Sequence, residues 1–234
     1  MLEGLVPPKP FQTKEEYIYE TLRAAILQCK LPPGEKLVID HLSSVLGVSA
    51  IPIRAALQRL QTDGLVEIVP HTGAVVSEIS IDDLTEIFTL LEALESIGFE
   101  YASKRATDSD LVKLEDLVNG MDKAYQNGDI DGWSELNSEF HCSISKITQM
   151  DLLNEYTCRT FSYWERIRRY YLKEIVSYRI PKAQADHHEM IELLKQRKSK
   201  ELAAKASQHN RQAREAYEKL FQSHTPKQVP ELEN

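Results

Sequence analysis

The amino-acid sequence predicts a mainly α-helical chain in two parts: a short helical module that ends in a β-hairpin, then an all-helical antiparallel bundle. Three observations predict it. Apolar residues recur at three- and four-residue spacing through most of the chain. One short region alone has β character: Leu65-Val66-Glu67-Ile68-Val69 and Ala74-Val75-Val76-Ser77-Glu78-Ile79 flank Pro70-His71-Thr72-Gly73, which reads as a hairpin. After Ser80 no strand-like run competes with the helical period.

The elements follow in order. Residues 1–13, with Pro7, Pro8 and Pro10, form a flexible lead-in. A helix over 14–28 carries Tyr17, Ile18, Leu22, Ala25 and Ile26 on one face, and Leu31-Pro32-Pro33-Gly34 ends it. A short helix over 40–46 turns Leu42, Val45 and Leu46 inward. Asp40 complements the dipole in its first turn, and Gly47 suits the left-handed stop. Ser49 caps the next helix, where Pro52 is tolerable because first-turn amides have no intrahelical partner. Ile53, Ala56, Leu57 and Leu60 form its inward stripe, and Gly64 stops it. The boundary between the parts falls near 79–81, giving a first domain over 14–79 and a second over 80–224. Six helices are expected in the second: 82–105, 108–127, 131–147, 152–172, 181–195 and 199–222. Ser80 or Asp82, Asp108 and Ser199 are the capping candidates. A tail, 225–234, closes the chain.

Composition narrows the function classes. A chain of 234 residues accommodates two modest cores, and 42% hydrophobic with 27% charged residues is ordinary for a soluble protein. No apolar run approaches the roughly 20 residues needed to cross a bilayer, and the N-terminus lacks the order of a signal peptide. Cys29, Cys142 and Cys158 are too scattered for a disulfide framework or zinc ribbon, so a reducing cytoplasm with three small core thiols is expected. The net charge is −8, and the first eighty residues hold seven basic against nine acidic groups. Nucleic-acid binding would therefore rest on local geometry rather than bulk charge.

Two short helices joined by Gly47-Val48-Ser49 and followed by a hairpin outline a winged helix-turn-helix, whose second helix enters the major groove by its N-terminal end. Its exposed early positions are Ser49, Ala50, Ile51 and Arg54. Arg54 can fork onto guanine or clamp a phosphate, and Ser49 with nearby amides can hold a phosphate. At the hairpin tip His71, Thr72 and Gly73 can reach a groove or the backbone, with glycine allowing close approach. Arg59 lies on the flank.

The landmarks Leu31-Pro32-Pro33-Gly34-Glu35-Lys36-Leu37, Leu46-Gly47-Val48-Ser49, Ile51-Pro52-Ile53-Arg54-Ala55-Ala56-Leu57, Gly64-Leu65-Val66 and Gly73-Ala74-Val75-Val76, in that order, closely resemble the DNA-binding domain of the GntR family over 14–79. Ala50 and Ala55 depart from the arginine and glutamate usual there, and Ala50 and Ile51 can instead meet thymine methyls. Gly128-Asp129, Asn137-Ser138-Glu139-Phe140-His141, His188 before Ile191, and His209 resemble the FCD effector domain of the FadR-type subfamily over about 81–222. That resemblance implies a homodimeric cytoplasmic regulator that binds a double-stranded operator, most simply as a repressor under a small organic-acid effector, with no enzymatic activity and no membrane association.

The resemblance also implies a divalent metal, zinc or nickel, held by Asn137, His141, His188 and His209, with Asn137 where the family has aspartate. His187 is the alternative to His188, but the phase from Ile191 and Leu194 favours His188. A polar organic-ligand pocket without metal remains open. The family's usual arginine is missing from the first bundle helix around 88–92. Arg159, Arg166 and Trp164 on the fourth are therefore the effector-pocket candidates. Two alternative functions stay on the table: a metabolite or metal sensor that has lost DNA binding, and a metal-dependent helical-bundle enzyme. Against the enzyme, no histidine has a glutamate three residues before it, and Gly-x-Ser-x-Gly, P-loop and His-Glu-x-x-His patterns are absent.

Overall fold

A computed structural model of the chain describes residues 13–171 and 173–223; the expected lead-in (but for Thr13) and tail lie outside them. Among the described residues two compact units separate after Ile79: one holds 13–79 with Glu165–Tyr171, the other Ser80–Trp164 with 173–223.

In the first unit, α1 (Lys14–Leu27) starts at Thr13, whose side chain accepts from the Glu16 amide. Ile18, Leu22 and Ile26 are fully buried along it. They meet the stripe Ile53, Ala56, Leu57 and Leu60 of α3 (Ala50–Thr62). Each isoleucine or leucine among them, fully buried, contributes about 1.5–3 kcal/mol. Between them α2 (Ile39–Leu46) ends on Gly47, in the left-handed region at φ 64°. The expected hairpin is present as β2 (Val66–Val69) and β3 (Gly73–Val76), with Val66 opposite Val76. A third strand was not expected: β1 (Lys36–Val38) pairs antiparallel with β3, giving the order β1-β3-β2. Only three residues long, it carries too little alternation to stand out. It explains Gly73, whose position any Cβ would drive onto the Leu37 carbonyl oxygen. Gly73 is accordingly buried and serves the sheet, not the expected approach to a groove.

The second unit is all helical, built of α4 (Ile81–Arg105), α5 (Asp108–Gln126), α6 (Ile130–Ile147), α7 (Asp151–Tyr171) as far as Trp164, α8 (Lys173–Lys195) and α9 (Ser199–Ser223). Ser80 and Thr107 close capping boxes with Asp83 and Asp110, so Asp108 is the first helical residue rather than the cap. The helix expected from Pro181 begins earlier, at Lys173, and runs through that proline. α4 and α9 lie antiparallel, as Thr85 meets Glu218, Asn210 meets Glu95 and Ser103 meets Ser199. Phe99 and Phe140 are buried at its centre.

The cysteines depart from expectation. Cys142 on α6 and Cys158 on α7 are joined, with Cα atoms 5.4 Å apart, and only Cys29 is a free thiol. None of the three is fully buried. A sixteen-residue separation across a helical turn gave no periodic signal that these two positions face each other.

Candidate nucleic-acid interface and imidazole cluster

The leading edge of α3 is built by its N-cap. Ser49 has extended geometry (φ −73°, ψ 164°) and its side chain makes no capping hydrogen bond, so the hydroxyl and first-turn amides remain available. Ile51 is 79% exposed, more than any other large apolar residue among those described. Ala50 is half-buried; Ser49 and Arg54 are exposed. Among the described residues Arg54 has no carboxylate partner. Arg59, by contrast, pairs with Glu15 at 3.6 Å and lies over the Tyr19 ring at 3.9 Å. Arg54 shares a shallow cavity of about 110 Å³ with Leu57, Gln58, Ile68 and His71. His71 and Thr72 are exposed at the wing tip, His71 with φ 65°.

Inside the second unit three imidazoles converge. His141 (α6), His187 (α8) and His209 (α9) are buried and place one ring nitrogen each within 4.8 Å of the others. His188 is not among them. It is half exposed and faces Asp122 at 2.9 Å. The helical phase decides this: Ile180, His187 and Leu194 repeat every seven residues, and Ala183, Gln184, Met190 and Ile191 fill the same buried stripe. His188 keeps the three-residue spacing to Ile191 but falls off that stripe. Asn137 is buried one turn before His141 on α6.

Each imidazole has its Nδ1 side occupied by an oxygen. Asp186 Oδ2 stands 3.2 Å from His209 Nδ1, and Gln184 Oε1 3.4 Å from His187 Nδ1. The buried Glu95 on α4 presses Oε1 against His141 Nδ1, in contact though outside hydrogen-bond geometry, while its Oε2 accepts from Asn210 at 2.5 Å. That leaves Nε2 of each ring for whatever the cluster binds, and His187 Nε2 is a buried atom with no hydrogen-bond partner. Burial pushes the His187 pKa well below the usual value, with His209 and His141 adding to it. Burial likewise brings His209 down to about 4. Both rings are therefore neutral at pH 7, the form that ligates metals. Burial alone would raise the Asp186 carboxyl, but hydrogen bonds from His209, Lys205 and Lys182 hold it well below the carboxylate range. Three pre-oriented imidazoles and an orphaned nitrogen fit a late divalent cation.

The remaining candidates lie elsewhere. Trp164 is core, edge-on to Phe88 at 4.9 Å and 4.5 Å from Tyr217. Arg166 donates to the Ser77 carbonyl within the first unit, so it does not line the bundle interior. Arg159 is half-buried on α7. Two residues near the cluster escaped the sequence reading. Glu95 is a charge inside the apolar stripe Phe88, Leu91, Phe99 and Ala102 of α4, and that misfit was visible. Arg179 is buried and donates to the His209 carbonyl at 2.8 Å; burial lowers its pKa. It falls where no helix was expected.

Comparison with known proteins decides the family. Residues 14–76 match the bacterial regulatory proteins of the gntR family, and residues 86–212 match the FCD domain. The chain belongs to the GntR family, with an FCD domain. It is a DNA-binding transcriptional regulator, and the families and relatives it matches are regulators, not enzymes. It is 31% identical to the Nta operon transcriptional regulator of Aminobacter aminovorans, over 74% of this chain and 79% of that one. To the HTH-type transcriptional repressor RspR of Escherichia coli it is 29% identical over 61% of this chain, spanning 63% of that relative's length. The solved structure of Escherichia coli McbR/YncC superposes with a TM-score of 0.74 at 21% identity, covering 90% of this chain and all of that one. Among the described residues no helix is long and apolar enough to cross a membrane.

Proposed function

We propose that this GntR regulator is a cytoplasmic homodimeric repressor whose hold on its operator is set by a small organic acid, with zinc or nickel, in the helical domain. The observation that carries this reading is the convergence of three buried imidazoles whose Nδ1 sides are each occupied by Asp186, Gln184 or Glu95. His141, His187 and His209 would hold the cation, which supplies Lewis-acid attraction for a carboxylate ligand. Asn137 offers only a neutral amide, so Glu95 supplies the compensating negative charge nearby.

On the DNA side, Ser49, Ala50, Ile51 and Arg54 meet the major groove and His71 and Thr72 the adjacent backbone, with the second protomer reading the neighbouring half-site. Control requires the effector to bind the DNA-free and DNA-bound states unequally. Fluorescence anisotropy on the promoter-proximal DNA of the regulator's own gene, with and without zinc and citrate, tests this. Specific, salt-dependent binding that zinc plus citrate shifts by at least about fivefold supports it. Binding indifferent to both removes effector control by this class.

A further inference from the structure

We propose that Cys142 and Cys158 form an oxidant-responsive pair, a reversible disulfide that ties α6 to α7 beside the imidazole cluster and gives this regulator a redox input. The backbone separation permits the pairing: the Cα atoms are 5.4 Å apart, inside the roughly 4.4–6.8 Å that a disulfide spans. Its location is specific. Cys142 directly follows His141 on α6, and Cys158 lies three residues before Phe161 on α7, whose ring stacks on His141 at 4.8 Å between centroids. The bridge therefore fixes the helix that carries one imidazole against the helix that carries its stacking partner.

Both cysteines are only half-buried, so small oxidants and reductants reach them. Cys29 differs. Burial raises its thiol pKa, which keeps it protonated and poorly reactive, and its Sγ–H donates to the Arg166 carbonyl at 3.4 Å. A regulator that acts on bacterial DNA works where cellular dithiols keep thiols reduced, and disulfides found there are mostly transient and sensory. The closed bridge is then the oxidised state of a switch, and its closing requires neither a metal nor an effector.

The chemistry balances with a hydroperoxide as oxidant. One thiolate attacks the distal peroxide oxygen; the O–O bond breaks, leaving a sulfenic acid and an alkoxide that takes up a proton to become the alcohol. The second thiol then attacks the sulfenic sulfur, the S–S bond forms and water leaves. Overall two thiols lose two protons and two electrons to the peroxide. A dithiol reductant reverses this by exchange through a mixed disulfide.

The test uses the full chain and tert-butyl hydroperoxide. Reduced protein titrates three thiols; the treated protein should titrate one, lose the mass of two hydrogens and recover three with dithiothreitol while folded. Cys29→Ser should still close the bridge, whereas Cys142→Ser and Cys158→Ser should not. Closing a loop of this length should raise the thermal midpoint by about 5 °C or more. It should also slow amide exchange around His141 by at least about fivefold. Retention of three thiols, pairing through Cys29 or between chains, a bridge that dithiothreitol leaves intact in the folded protein, or unchanged exchange around His141 would each overturn the proposal.

Discussion

The first unit sets its functional groups out in water, and the second hides them. Arg54 stands exposed at the start of α3 with no carboxylate partner among the described residues, whereas Arg179 is buried against the His209 carbonyl. A surface that reads DNA must be wet, convex and free to exchange counterions, and its geometry comes from one helix and one turn. A site that discriminates a small ligand gains strength from exclusion of water, and here it takes one residue from each of several helices. The cost of the second solution is visible: Glu95, Asp186 and three imidazoles are buried, and only mutual pairing makes that tolerable.

The largest expected effect lies in the interior. His187→Gln, which nearly preserves volume, should lower zinc affinity in calorimetry by more than the roughly 10- to 100-fold typical of an outer partner. His188→Gln should leave zinc affinity unchanged. The reverse result would restore His188 to the cluster. On the surface, Arg54→Ala should weaken operator binding roughly 5- to 150-fold, the equivalent of one bidentate base contact at about 1–3 kcal/mol. Its thermal midpoint should not move, because the side chain packs on little. Full operator affinity in that variant would separate the two regions less sharply than proposed, and would shift the reading role to Ser49 and Ile51.

The same contrast explains what the sequence made legible. Gly47, Ser49, Gly64 and the stripe Ile53, Ala56, Leu57 and Leu60 act through local geometry, so the helix-turn-helix and its hairpin could be read residue by residue. β1 could not, since three residues pairing across a gap of some thirty-five carry no period of their own. In the bundle, His141 and His209 were found by spacing and resemblance. His187 was displaced by one: Ile191 and Leu194, within one turn of each other, were matched to His188, whereas the seven-residue repeat from Ile180, outside the expected helix, to Leu194 puts His187 on the buried stripe. Arg166 and Trp164 failed as pocket residues for a related reason: a helix has several faces, and periodicity does not say which neighbour each one meets.

Glu95→Gln sharpens the interior half of the comparison. It preserves shape and the approach to Asn210 and His141 but removes the charge, so zinc affinity should fall about 10- to 100-fold. Asn137→Asp, introduced into that variant, should recover part of the loss by restoring a carboxylate to the cluster. Unchanged zinc affinity in Glu95→Gln would show that the cation, if bound, is balanced by another group.

The smallest effect belongs to the start of the second unit. Ser80 accepts from the Asp83 amide at 3.1 Å, while Asp83 accepts from the Ser80 amide at 2.6 Å and from its hydroxyl at 2.8 Å. Thr107 and Asp110 repeat the arrangement one helix later. Ser80→Ala removes one cap acceptor at an exposed helix start, so it should cost about 1 kcal/mol and lower the thermal midpoint by roughly 2–4 °C. Zinc affinity should stay as it was, because the first turn of α4 is four turns from Glu95 along the helix by residue count. A loss of zinc binding in Ser80→Ala would mean that the buried cluster depends on the exact seating of the α4 N-terminus, and that the interior site is less self-contained than its hydrogen bonds indicate.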